Sequence, residues 1–241
     1  MILDQLVEKK ALSEKQFAVL IDPDNQSAEE LVAFVQKADA AGVGFFLVGG
    51  SLLISDQLEA TILAVKSATS KPVVIFPGSP MQVNNKADGI LLLSLISGRN
   101  AEMLIGHHVI AAPLLKRSRL EVLPTGYILV DGGRQTTASF MSGTTPIPAD
   151  KPDIAAVTAM AGEMLGLKLI YMDAGSGAQN PITAEMIGKV AKGTDVPLII
   201  GGGIRSIESA KTAFDAGADV IVVGNALEKN PEFLNELAGL V

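Results

Sequence analysis

The chain has 241 residues, 48% of them apolar and only 4% aromatic, with no tryptophan and no cysteine. One domain over residues 1–241 can therefore bury a large aliphatic core, and disulfides and thiolate metal sites are excluded. Nineteen Lys and Arg against 26 Asp and Glu leave a net charge of −7, so the chain is a poor match to nucleic acid and must recognise any anionic ligand locally, through main-chain amides, a metal or isolated side chains.

The N-terminal stretch MILDQLVEKKAL mixes acids with apolar residues and lacks the basic start of a signal peptide. No apolar run nears the roughly 18 residues that span a bilayer. A cytoplasmic protein is expected, with any membrane contact confined to the surface.

Eight short apolar runs then follow as expected strands, at 17–22 (FAVLID), 44–49 (GFFLVG), 72–76 (PVVIF), 89–93 (GILLL), 127–131 (YILVD), 168–172 (KLIYM), 197–201 (PLIIG) and 219–223 (DVIVV). Helical patterns separate most of them, over 27–41, 55–69, 100–116, 152–165, 183–192, 206–216 and 226–239. The first helix opens with Ser27 and Glu30 at capping-box spacing. The segment 79–86 is short and polar, which predicts a stunted or missing third helix. Residues 131–151 form a long loop after the fifth strand, of the kind that covers substrates.

This alternation predicts an α/β fold, a (β/α)₈ TIM barrel, for which about 250 residues suffice. Residues 41–50 resemble 216–225, and 71–78 resemble 196–203, as expected of repeated units closing into a ring. The alternative, a doubly wound open sheet, is disfavoured because no GxGxxG follows the first strand.

Barrel active sites sit at the C-terminal ends of the strands. Three glycine clusters fall at consecutive late strand ends: Gly175-Ser176-Gly177, Gly201-Gly202-Gly203 and Gly224-Asn225. Glycines there let main chain approach a ligand, and helix starts offer free N–H groups, so the clusters point to a phosphate. Asp22 ends the first strand and Ser51 follows the second. These are hard oxygen donors suited to Mg²⁺, although Asp22 serves equally well as a turn cap before Pro23. Asp24 reads as a helix-start residue. Tyr171 and Asp173 share strand parity and can both point inward, the carboxylate as a general base and the phenol as a substrate hydrogen-bonder or a packing residue. His107 and His108, adjacent on a helix, cannot form an i, i+4 metal pair and are expected at the surface or in helix packing. Lys116, Arg117 and Arg119 read as a solvated face at the barrel bottom, and Arg134 in the long loop is a candidate for meeting a diphosphate.

Taken in order, IDPD (21–24), LVGGS (47–51), PTGYILVDGG (124–133), YMDAGSGA (171–178), GGGIRS (201–206) and VGNALE (223–228) resemble the geranylgeranylglyceryl phosphate synthase family, which includes the heptaprenylglyceryl phosphate synthases. The resemblance covers nearly the whole chain. It implies a prenyltransferase in which the 3-hydroxyl of sn-glycerol 1-phosphate attacks C1 of a polyprenyl diphosphate, geranylgeranyl by the segment 124–133. It further implies Mg²⁺ on Asp22 and Ser51. Glycerol 1-phosphate would be held by Tyr171, Met172, Asp173, Ala174, Gly175, Ser176, Gly177, Gly202, Gly203, Gly224 and Asn225, with Asp173 and Tyr171 catalytic, and the enzyme would be a homo-oligomer. Leu92, Leu95, Ile96 and Ile128 are the expected lining of the prenyl groove. Two departures stand out. Many members carry Glu at the position of Asp173, and some carry Lys at the position of Leu20.

Two other classes fit the glycine loops. A phosphosugar isomerase or lyase would use an inward acid/base pair such as Asp22 and Asp131. A non-catalytic phosphate-binding barrel would use neither Asp22 nor Asp173 for turnover.

Overall fold

Runs of Val, Ile and Leu without alternation suit strands buried on both faces, which is what a parallel sheet wrapped by helices requires. The computed structural model describes residues 1–24, 28–230 and 232–241. Its eight parallel strands are β1 Gln16–Ile21, β2 Phe45–Gly50, β3 Val73–Pro77, β4 Gly89–Leu95, β5 Glu121–Leu129, β6 Leu169–Asp173, β7 Leu198–Gly201 and β8 Val220–Val223. They pair in sequence order, and β8 returns to β1 with Ala18 opposite Val222, so the sheet is a closed barrel and not an open one. The expected strands match within a residue or two, except that β5 begins six residues earlier than the YILVD run.

Side-chain parity divides the core into two layers. Leu47, Val74, Phe76, Leu91, Tyr127, Leu169, Tyr171, Ile199 and Val222 fill the interior of the barrel. Phe46, Val48, Ile75, Ile128, Met172, Ile200 and Ile221 face the surrounding helices. Those helices are α2 Ala28–Ala40, α3 Leu58–Ala68, α4 His107–Arg117, α6 Pro152–Met164, α7 Ala184–Gly193 and α8 Ile207–Asp215. The proposed cap at Ser27 lies outside the described residues. Thr183 caps α7 and Ser206 caps α8, each hydroxyl accepting a main-chain N–H from the first turn. The C-terminal helical pattern divides into α9 Asn225–Lys229 and α10 Phe233–Ala238.

Sequence periodicity did not reveal two helices. In α1, Ile2–Ala11, Ile2 and Leu6 close the bottom of the interior core. The Glu121 carboxylate accepts the N–H groups of Ile2 and Leu3 at 2.6 and 2.9 Å, which satisfies the exposed helix start. The second, α5 Thr137–Ser142, interrupts the long 131–151 segment and carries a Thr136/Ser139 capping box. That segment is tied to the barrel where Ile147 donates to the Leu129 carbonyl and Asp131 to the Ile147 carbonyl.

No helix joins β3 to β4; residues 78–88 cross instead as turns. After β4 a π-turn, Glu102–Gly106, runs directly into α4. The absent helix leaves the outer side of β4 without a cover on one flank, and that gap shapes the site.

Candidate active site

At the C-terminal rim, the loops after β6, β7 and β8 converge. Gly202 has φ +78°, and a Cβ there would lie 2.6 Å from the Gly175 amide and 2.7 Å from Asp173 Oδ1, so only glycine lets these two loops touch. Asn225 donates to Ser176 Oγ at 3.2 Å, joining the third loop to the first. Gly175 is pressed by the Thr136 side chain, and Arg134 Nη2 lies 3.5 Å from where a Gly177 Cβ would stand. Among the described residues, the amides of Ser176, Gly177, Gly202 and Gly203 meet no protein acceptor. The Ala174 amide is spent on the Gly201 carbonyl and the Gly175 amide on Asp173. Of the residues expected to hold glycerol 1-phosphate, Ala174 and Gly175 thus have no free amide to offer it. Met172 points outward into the helix-facing layer, leaving only its main chain near the rim.

Asp173 ends β6 with 8% of its surface exposed. Its Oδ2 accepts the Tyr127 hydroxyl at 2.6 Å and its Oδ1 the Gly175 amide at 2.7 Å. Burial raises its pKa above the ordinary carboxylate value, while those two bonds favour the ionised form and pull it down. Tyr127 and Tyr171 are directly paired in register, and with Phe76 they form a cluster with ring centroids 5.3–5.9 Å apart. Burial, then the Asp173 charge, drives both phenols well above their usual pKa, so both stay protonated donors. Tyr171 is the more enclosed, its hydroxyl lying against Gly201. In the sequence Tyr127 stands only as the start of a strand run. Its shared parity with Leu129 was the available signal.

Asp22 and Ser51 lie just beyond the ends of the adjacent strands β1 and β2. Asp22 Oδ1 accepts the Asp24 amide at 3.0 Å, so the turn-cap role is real for one oxygen. Oδ2 lies beside Gly50, 4.0 Å from where a Cβ there would stand. Among the described residues no three His, Cys, Asp or Glu side chains gather. A hard cation held by Asp22 and Ser51 would have one carboxylate and one hydroxyl from the protein, with water and substrate oxygens completing its shell, a donor set that suits Mg²⁺. Asp24 reaches across to the neighbouring loop, while the helix start expected of it lies outside the described residues. Its carboxylate accepts the amides of Ile54 and Ser55 and the Ser55 hydroxyl, which holds its pKa down and pins the loop after β2.

From this polar rim an apolar cleft of about 830 Å³, counting its open mouth, runs outward where the third helix is absent. Its inner part is lined by Leu91, Leu93 and Tyr127. It then passes to the outer side of β4, between Leu92 and Ile90 on the strand and Ala111 and Leu115 on α4. Leu92 and Leu95 line it as expected. Ile96 and Ile128 do not, because Ile128 has outward parity toward a helix and Ile96 follows the strand behind the cleft. His107 and His108 are half-buried on the face of α4 that packs toward β4, in line with a helix-packing role, and they also border the cleft. His108 Nε2 lies 3.4 Å from Ser94 Oγ, and burial, foremost, lowers its pKa, which favours the neutral ring. Its Nδ1 is the buried side-chain polar atom without a partner among the described residues.

An isomerase pair of Asp22 and Asp131 does not form. Asp131 is exposed and accepts the Gly133 amide of its own turn at 2.8 Å. Lys116, Arg117 and Arg119 are exposed around the end of α4, away from the rim, as expected.

Residues 9–239 match the PcrB family. The chain is 55% identical to a geranylgeranylglyceryl phosphate synthase of Spirosoma linguale over 98% of this chain and 95% of that one. It is 40% identical to the enzyme of that name from Thermococcus gammatolerans, over 94% and 90%. The crystal structure of (S)-3-O-geranylgeranylglyceryl phosphate synthase from Thermoplasma acidophilum, in complex with its substrate sn-glycerol-1-phosphate, superposes with a TM-score of 0.93 at 33% identity, covering 99% of this chain and 97% of that one. An N-acetylmannosamine-6-phosphate 2-epimerase from Clostridium perfringens shares the fold alone, at TM-score 0.61 and 15% identity. With a match spanning nearly its full length, the chain belongs to the PcrB family, alongside the geranylgeranylglyceryl phosphate synthases.

Proposed function

We infer that the protein is a prenyltransferase that transfers a geranylgeranyl chain from its diphosphate to the 3-hydroxyl of sn-glycerol 1-phosphate. The carrying observation is one junction. The glycine rim and the apolar cleft meet at the buried Tyr127–Asp173 pair, so an anionic alcohol and a lipid chain can face each other across a base.

In this reading the free amides of Ser176, Gly177, Gly202 and Gly203 receive the phosphate of glycerol 1-phosphate, with Asn225 and Gly224 closing the far side. The hydroxyl oxygen forms a bond to C1 of the prenyl chain. The C1–oxygen bond of the diphosphate breaks, its electron pair leaving with diphosphate, and the hydroxyl proton passes to Asp173. A raised carboxylate pKa suits that last step, because a base closer to neutrality accepts the proton more readily. Tyr127 holds the base ionised and oriented, and Tyr171 backs it from the interior. The chain lies along Leu93, Leu92 and Ala111, where burial of apolar surface at about 25 cal/mol per Å² favours a long tail.

Asp22 and Ser51 would hold Mg²⁺, which when bound neutralises the leaving diphosphate. We further propose a cytoplasmic homo-oligomer. No helix among the described residues is long and apolar enough to cross a membrane. Val109, Ile110 and Leu114 on α4, and Ile154 and Val157 on α6, are exposed apolar side chains on the barrel's flank that a second copy would cover.

The test is incubation of the purified protein with Mg²⁺, sn-glycerol 1-phosphate and prenyl diphosphates of several lengths, with product detected by mass spectrometry. A prenylated glycerol phosphate that forms only with the metal is expected. Its absence at every chain length overturns the reading.

A further inference from the structure

We propose that the half of the rim surrounding the cleft mouth docks the enzyme on a lipid surface. The inference rests on the prenyl-transfer reading of that cleft. The loops after β2, β3, β4 and β5 are neighbours around the barrel. Each carries a large apolar side chain turned to solvent: Ile54 is 87% exposed, Met81 77%, Ile105 60% and Phe140 70%. Each lies within three residues of a group that lines the cleft, respectively Ser51, Pro80, Met103 and Met141.

These side chains are not on loose ends. The Ile54 amide is bonded to Asp24, the Met81 amide to Ser79 Oγ at 3.2 Å, and the Phe140 amide to the Thr136 carbonyl at 3.0 Å. Single exposed hydrophobics are ordinary, whereas four held outward on one arc mark an interaction surface. The loops after β6, β7 and β8 carry no exposed large hydrophobic residue among the described residues. The rim is therefore divided as an amphiphile is, with amide-rich glycine loops on one half and an apolar arc continuous with a tail-binding cleft on the other.

A lipid surface fits this arc better than a second copy does. A copy has its own apolar stripe on the flank, on α4 and α6, and covering the mouth would block the path of a twenty-carbon chain into the cleft. The charge is equally informative. The net charge is −7, and on the arc the exposed Asp56 and Glu102 are matched only by the exposed Arg99 and Arg134, which leaves no excess of basic charge there among the described residues. Docking is thus driven by apolar insertion and not by attraction to anionic lipid, unlike polybasic anchors.

The experiment is flotation of the full chain with vesicles of pure phosphatidylcholine and with vesicles containing phosphatidylglycerol, at low and high salt. Binding to phosphatidylcholine, unchanged by salt and weakened by phosphatidylglycerol, is expected. The triple variant Ile54→Ser, Met81→Ser, Phe140→Ser should bind vesicles at least about tenfold more weakly. It should turn over detergent-dispersed prenyl diphosphate at the wild-type rate, which also shows that it folds. Val157→Ser on α6 should leave flotation unchanged. No flotation of the wild type, salt-labile binding that requires phosphatidylglycerol, or a changed oligomeric state in the triple variant each overturns the proposal. Turnover in detergent without flotation refutes docking alone, whereas no turnover with any substrate refutes the prenyl-transfer reading beneath it.

Discussion

Replacing Tyr127 by Phe removes one oxygen from the interior while keeping the ring that packs on Phe76 and Tyr171. It also strips Asp173 Oδ2 of its 2.6 Å donor at a site nearly closed to water. A hydrogen bond to a charged acceptor contributes about 1.5–3 kcal/mol. At about 1.36 kcal/mol per factor of ten, kcat/KM at neutral pH should fall about ten- to a hundredfold. The sign is fixed by the chemistry. Burial already raises the Asp173 pKa, and the Tyr127 bond opposes that. Losing the bond moves the pKa further up, so the limb on which activity rises with pH shifts to higher pH and part of the activity returns under alkaline conditions. Stability should follow the same sign. A carboxyl whose folded pKa lies above its unfolded value contributes stability that is present below the unfolded pKa and lost as pH rises through the folded one. The variant should therefore lose more stability than the wild type between acid and alkaline pH, read by urea unfolding. An equal rate loss at every pH, or no loss, would show that Tyr127 only fills space.

Three further outcomes follow from the geometry. Gly202→Ala forces a side chain onto the Gly175 amide and costs about 1–2 kcal/mol for the left-handed backbone alone; calorimetry should show weakened glycerol 1-phosphate binding, and unchanged binding would refute the convergence of these loops on phosphate. Ala111→Phe should obstruct the cleft at mid-depth, shifting product from geranylgeranyl toward shorter chains by mass spectrometry; an unaltered chain preference would move the tail out of this cleft. Asp24→Ala should speed hydrogen exchange at the Ile54 and Ser55 amides, and unchanged protection would mean that the loop after β2 is held by other contacts.

Much of the barrel was legible because its signals are local. Each strand announces itself as a short apolar run, and most helices as a stripe of period 3.6, whatever the partner. The missing third helix was visible for the same reason, as a polar segment too short to bury a face. Residues of α1 escaped because their apolar positions serve the barrel floor, a surface that exists only once eight strands have closed. The start of β5 escaped because Glu121 and Pro124 do not look like strand interior. Glu121 caps α1 from there, 118 residues away in sequence from Leu3.

For the site, the sequence by itself determined the glycine clusters at consecutive strand ends, the inward parity of Tyr171 and Asp173, and the hard oxygens of Asp22 and Ser51. Tertiary structure alone decided which amides remain free, since Ala174 spends its own on the Gly201 carbonyl of β7 and Gly175 its own on Asp173. It placed Tyr127 on Asp173 through a register between strands 46 residues apart, and it turned the absent helix into a cleft reaching His108 and Ala111. Periodicity reports which side of an element is buried. Only the closure of the ring, with its fixed register between neighbours, states what that side is buried against.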